Sequence, residues 1–222
     1  GLTDKTIHCI FQDSEGWIWI GTDFGVSRFD GYTFRKFTFD TPTGEALSNA
    51  LIRTIFEDRS GVIWIGTEGQ GLFRYNRSNY QIDQFRDDVL INNSVWTIVE
   101  KDSCLLLGTE LGLTLFNPET GSAQLKMNSK THPGLLTGDV IRKLVIDRTG
   151  RIWVGTENGI TVLNTDLSKW KAYADLSKSI LGRENEVWEI FEDRAGNIWI
   201  GTYLGGLFMY TVGGGQPAEI RF

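Results

Sequence analysis

Five residues able to grip a ligand recur at one position of a repeated unit: His8, Arg53, Trp96, Arg142 and Trp188. Two guanidiniums there can make paired hydrogen bonds to a carboxylate or sulfate, and two indoles can stack on a sugar face, so a glycan with acidic groups would suit them. The same side chains equally suit channel filling or contacts between neighbouring units. A second column follows a recurrent Gly-Thr pair and holds Asp23, Glu68, Glu110, Glu157 and Tyr203. Its four carboxylates could form an acidic rim for a cation or sugar hydroxyls, or each could accept hydrogen bonds from loop amides.

No catalytic set accompanies these columns. The histidines are His8 and His132, without a Ser or Cys partner at motif spacing, a Cys-x-x-Cys, a metal-binding His pair or a phosphate-cradling loop. No catalytic residue, metal or cofactor is therefore predicted. Gly213-Gly214-Gly215 lacks the context of a nucleotide site and reads as a flexible connection. Cys9 and Cys104 are too few for a disulfide framework and read as buried thiols.

The element that must position the columns is Ile63-Trp64-Ile65-Gly66-Thr67, because its copies run along the whole chain. They are Trp19-Ile20-Gly21-Thr22, Leu106-Leu107-Gly108-Thr109, Trp153-Val154-Gly155-Thr156 and Trp199-Ile200-Gly201-Thr202, with a period close to 45 residues. The second unit is the clearest template. Ile52 to Glu57 favours a strand (A), Asp58-Arg59-Ser60-Gly61 a turn, and Val62 to Thr67 a second strand (B). Leu72 to Asn76 (C) and the alternating Tyr80 to Phe85 (D) complete four antiparallel strands. Asp opening the turn can bond the backbone two residues on, and Gly closing it accepts a positive φ. The third unit lacks that Gly and has Leu106 for the Trp, so its blade should be the least regular.

Four strands at this period are the signature of a β-propeller blade, and a sheet apolar on both faces needs neighbours on both sides. The predicted fold is all-β: a β-propeller of five four-stranded antiparallel blades, partial or five-bladed, as one domain over 1–222. The blades fall at 1–39, 50–86, 93–127, 138–173 and 185–222. The polar connections between them, Phe39 to Asn49, Asn128 to Gly138 and Asp175 to Asn185, read as loops on one variable rim.

A net charge of −6 offers no basic field for a phosphate backbone, so nucleic acid is not expected as a partner. No run of eighteen apolar residues is present, and no direct membrane contact is expected.

The pattern Ile-x-x-Ile-Phe-Glu-Asp-x-x-Gly-x-Ile-Trp-Ile-Gly-Thr-x-x-Gly-Leu-x-x-Tyr, carried nearly whole by Ile52 to Tyr75, resembles the two-component regulator propeller repeat. The resemblance spans five copies, four strong and one degenerate. It implies the extracytoplasmic sensor region of a hybrid two-component histidine kinase, hence a periplasmic location. Such sensors typically hold seven-bladed propellers, with kinase and membrane parts in a longer protein. The function it implies is a ligand-sensing module, recognising an oligosaccharide and signalling through chain packing. A structural or dimerisation module without a ligand is the alternative, and a propeller lyase or glycosidase a third reading.

Unit one opens on strand A and unit five closes on its own strand D, which leaves no strand to exchange in a clasp. The expectation is self-association through the end blades, a receptor dimer, or closure as a five-bladed ring, in preference to an open monomeric arc.

Overall fold

The structure is a computed structural model that describes residues 2, 4–38, 42–173, 185–211 and 218–220. Five four-stranded antiparallel sheets, each with its strands in chain order, form the blades of a β-propeller fold. The first holds β1 (Ile7–Gln12), β2 (Ile18–Thr22), β3 (Gly25–Phe29) and β4 (Phe34–Lys36). After helix α1 (Pro42–Ser48) come β5 (Ile52–Glu57), β6 (Ile63–Thr67), β7 (Leu72–Asn76) and β8 (Gln81–Phe85). The third blade is β9 (Val95–Lys101), β10 (Cys104–Thr109), β11 (Gly112–Asn117) and β12 (Ser122–Met127). The fourth is β13 (Ile141–Ile146), β14 (Ile152–Thr156), β15 (Gly159–Leu163) and β16 (Trp170–Tyr173). The fifth is β17 (Val187–Glu192), β18 (Ile198–Thr202), β19 (Leu207–Tyr210) and β20 (Ala218–Ile220). The chain divides into two compact units, 1–107 with 115–124, and 108–114 with 125–222.

In the first unit Trp19 packs beside Ile52 and Ile55 of the next blade, and Trp64 beside Val95 and Ile98 of the one after. In the second, Trp153 meets Val187 and Ile190. All three indoles are buried. Gly21, Gly66 and Gly155 of the Gly-Thr pairs let neighbouring blades approach this closely. A Cβ on Gly66 would lie 2.6 Å from Thr54 Cγ2 and 2.7 Å from the Val95 carbonyl oxygen, so only a residue without one fits.

The A–B turn does more than reverse the chain. Asp58 Oδ1 accepts from the amides of Ser60 at 2.9 Å and Val62 at 3.0 Å, while Oδ2 accepts the indole N–H of Trp64 at 2.7 Å. Asp13 with Trp19, Asp147 with Trp153 and Asp193 with Trp199 repeat the indole bond at 2.7, 2.9 and 2.9 Å. Neighbouring blades are also stitched at this end. The amides of Ser14, Arg59 and Arg148 donate to Glu57, Glu100 and Glu192 at 2.6, 3.0 and 2.9 Å.

Three expectations need correction. The third blade is not the least regular: its strands run 7, 6, 6 and 6 residues, because the shortened Asp102-Ser103 turn, with Asp102 at φ 56°, closes a tight hairpin and extends the ladder. The Phe39 to Asn49 connection is not loop throughout, since α1 starts at Pro42, a favoured first helical residue, and buries Leu47 in the core. The cysteines are free and half-buried rather than buried, and burial pushes the Cys9 thiol up to about 12. The Gly213-Gly214-Gly215 connection, and the connection from Asp175 short of Asn185, lie outside the described residues.

Candidate functional site

The first strand of a blade bulges where the first column stands. In β1 the ladder runs Ile7 opposite Thr22 and then Cys9 opposite Gly21, so His8 is an extra residue with no ladder partner. Arg53, Arg142 and Trp188 hold the same place in β5, β13 and β17. A bulge releases its residue from strict alternation and re-aims the side chain, which lets polar and aromatic groups stand beside apolar Ile7, Ile52, Ile141 and Val187.

Within the first unit, β1 adjoins β5 and β5 adjoins β9, and the column residues form a continuous line of contacts. His8 Nε2 lies 2.6 Å from Asp23 Oδ1, and Arg53 Nη1 lies 3.4 Å from His8 Nδ1. A guanidinium can only donate, so Nδ1 accepts and the imidazole proton sits on Nε2, pointing at Asp23. That bond holds the Asp23 carboxyl below the usual carboxylate range. The Arg53 guanidinium carbon lies 4.0 Å from the centre of the Trp96 ring, a cation–π stack. Its Nε donates to Glu68 Oε2 at 2.8 Å, and its Nη2 bonds the same oxygen.

The second unit carries a related arrangement. Arg142 Nε and Nη2 donate to Glu186 Oε1 at 3.2 and 3.1 Å, and its guanidinium carbon lies 5.3 Å from the centre of the Trp188 ring. Trp188 and Tyr203 have ring centres 5.9 Å apart, tilted by 32°. They are 45% and 56% exposed, which leaves an aromatic platform open to solvent.

The second column therefore divides by role. Asp23 and Glu68 engage the bulge residue of their own blade. Glu157 accepts the amides of Asp139 at 3.1 Å and Val140 at 2.9 Å, the loop-amide role. Glu110 holds the matching place after Thr109 and is half-buried. At the first column, for which an acidic glycan is the expectation, Nε and Nη2 of Arg53 and Arg142 already meet the carboxylates of Glu68 and Glu186. Glu186, immediately before β17, belongs to neither sequence column; an acidic residue preceding an apolar strand is its only signal.

Among the described residues no group of three or more His, Cys, Asp or Glu side chains is placed to hold a metal ion. No helix among them is long and apolar enough to cross a membrane.

The sequence model described as "Two component regulator propeller" matches residues 1–24, 46–69, 134–158 and 182–204. The third unit, which lacks the turn glycine and the Trp, falls outside these matches. Over 150 residues the chain is 33% identical to histidine kinase P4 of Formosa agariphila, covering 63% of this chain and 11% of that protein. Among solved structures it is similar to the extracellular domain of a protein described as a hybrid two component system of B. thetaiotaomicron, at 26% identity and a TM-score of 0.79. That similarity covers 96% of this chain and 29% of the other. A streptogramin B lyase, at 13% identity and a TM-score of 0.74 over 100% of this chain and 71% of the lyase, shares the fold alone. The chain thus spans about a tenth of the kinase and less than a third of the extracellular domain.

Proposed function

Because the chain is built of two component regulator propeller repeats, related to the extracellular sensor regions of two-component systems, we propose that it is a ligand-sensing module of a periplasmic receptor region. It reads an oligosaccharide at the inner strands of its blades and passes the event on through changed chain packing. The observation that carries this reading is the line Asp23, His8, Arg53, Trp96, with Glu68 alongside, in which His8 and Arg53 stand on bulges that re-aim their side chains. Sugar hydroxyls match the two carboxylates, and a pyranose face matches indole. Since the arginine forks are already engaged, the ligand proposed here is a neutral, hydroxyl-rich saccharide. Kinase chemistry and membrane anchoring belong, on this reading, to other parts of a longer receptor.

A thermal-shift screen against neutral, amino and acidic oligosaccharides tests the proposal. A rise in Tm with a neutral member, absent in Arg53→Ala, is expected; silence across the panel counts against sensing.

One observation favours a structural or dimerisation module as the second reading. Ile7 and Ile10 are 42% and 66% exposed, whereas Ile52 and Ile55 at the same positions of the next blade are 0% and 6% exposed. The first blade thus presents a face that its neighbour covers. On the fifth blade Phe191 is 61% exposed. Such faces fit self-association through the end blades.

A further inference from the structure

The outer edge of the first blade breaks a rule that the second blade keeps. Arg28 on β3 stands directly opposite Arg35 on β4. Like charges at opposed positions of a ladder repel and destabilise the sheet. At the matching position of the second blade, Arg74 stands opposite Asp83 and the two form an ion pair with Nη2 2.7 Å from Oδ2. The match is unambiguous, because Arg28 faces Trp19 of the inner hairpin as Arg74 faces Trp64. The second blade therefore neutralises this arginine, and the first blade has a second arginine at the opposing position instead.

The surroundings show what that choice leaves available. Arg53, Arg59, Arg74, Arg77, Arg86, Arg142, Arg148 and Arg151 all pair with carboxylates. Arg28, Arg35 and Arg194 make no ion pair with a carboxylate of the described residues, although Arg35 attracts Asp30 of the same hairpin, in a chain whose net charge is −6. Asp30, at the turn of the same hairpin, directs its carboxylate to the amides of Tyr32 at 2.9 Å and Thr33 at 2.7 Å. Arg28 is held from below, its guanidinium carbon 3.9 Å from the centre of the Trp17 ring. Arg28, Arg35 and Lys36 line one groove with Tyr75 and Tyr80. Tyr80 is 73% exposed and sits at φ 58°, a backbone region that non-glycine residues seldom adopt.

We propose that this outer groove is a binding site for an anionic saccharide, one whose sulfate ester or carboxylate lies between Arg28 and Arg35 while a sugar ring rests against Tyr80. Two forks on facing strands can share one oxyanion, each through paired N–H donors, and the anion removes the repulsion that the ladder otherwise bears. Exposed Tyr80 favours a sugar over a bare ion, since a ring with apolar C–H faces can stack where an inorganic anion cannot. Its two arginines lie on β3 and β4, two and three strands out from His8 on β1 in the same sheet, and differ from those of the inner column in making no ion pair with a described carboxylate.

Calorimetric titration of the whole chain tests this with four probes: a sulfated oligosaccharide, a uronate oligosaccharide, their uncharged counterpart and inorganic sulfate. The expected result is binding of one or both charged saccharides, weakening as salt rises, with inorganic sulfate at least tenfold weaker and any response to the uncharged sugar the same in Arg35→Asp as in the wild type. Arg35→Asp recreates the Arg74 and Asp83 pairing; it should lower affinity at least tenfold while raising Tm. Arg35→Gln should lie between the two in affinity. Arg53→Ala, in the inner column, should leave charged-saccharide binding unchanged, which separates this site from the proposed sensing site. Failure of the wild-type chain to bind either charged saccharide overturns the inference. So does unchanged affinity in Arg35→Asp, or inorganic sulfate binding as tightly as the saccharides.

Discussion

Trp64 donates its buried indole N–H to Asp58 Oδ2 at 2.7 Å, across the six residues that separate the turn from the heart of the next strand. The aspartate thereby fixes the turn backbone with one oxygen and orients the largest core side chain of its blade with the other. Asp58→Ala leaves the indole N–H and two turn amides without this acceptor. A buried donor left unsatisfied costs about 1–3 kcal/mol, so urea unfolding should show at least that loss. Trp64→Phe should be milder, and a double-mutant cycle should reveal positive coupling between the two sites.

Half of this relationship is legible in the sequence. Asp-x-x-Gly announces the turn by its own chemistry, whereas the bond to Trp is announced only by a constant spacing of six, which turn rules do not address. The third unit holds the clue, because it lacks Trp, turn glycine and turn length together. The strand order and inner hairpins follow from local pattern, while α1 escapes notice because Gly and polar residues obscure a short helix whose burial comes from one leucine. The column of His8, Arg53, Trp96, Arg142 and Trp188 is visible as variation among apolar neighbours. Its pairings are not, since Arg53 meets Glu68 of its own blade while Arg142 meets Glu186 of the next, a choice made by loop geometry.

Close packing of the blades should make the Gly-Thr glycines unequal. Gly66→Ala places a methyl 2.7 Å from a backbone oxygen and should cost about 1–3 kcal/mol by overpacking. At Gly201 the nearest atom to an added Cβ is Glu189 Cβ at 3.8 Å, and Gly201→Ala should be close to neutral. Thermal melts of both variants check the contrast.

Acid should loosen the turns. At Glu57 burial pushes the carboxyl up, but hydrogen bonds from the Ser14 hydroxyl and amide, with Arg77, outweigh it and hold the group below its ordinary range. Bonds from Trp199 and Asn197 bring Asp193 down to about 2. Both groups are depressed in the folded state. Their contribution is complete above about pH 5, where unfolded carboxylates are ionised, and is lost as pH falls through the folded values. Tm should therefore be flat from about pH 5 to 7 and fall below about pH 4 as these groups gain protons. Asp193→Asn should flatten that fall.

Exposed Ile10 should drive association if the uncovered face of the first blade is used. Light scattering should show mass rising with concentration, and Ile10→Glu should shift the chain towards monomer without lowering Tm. A monomer at all concentrations would remove the support for the structural reading.

The central claim, that the inner column senses a saccharide, is tested most directly by calorimetric titration of a neutral oligosaccharide into the wild-type chain and into Trp96→Ala. Loss of stacking on one ring is worth about 1 kcal/mol or more, so affinity should fall at least fivefold in the variant, with Tm near that of the wild type. Equal affinity in both proteins, or no heat from any neutral sugar with the wild type, would contradict it.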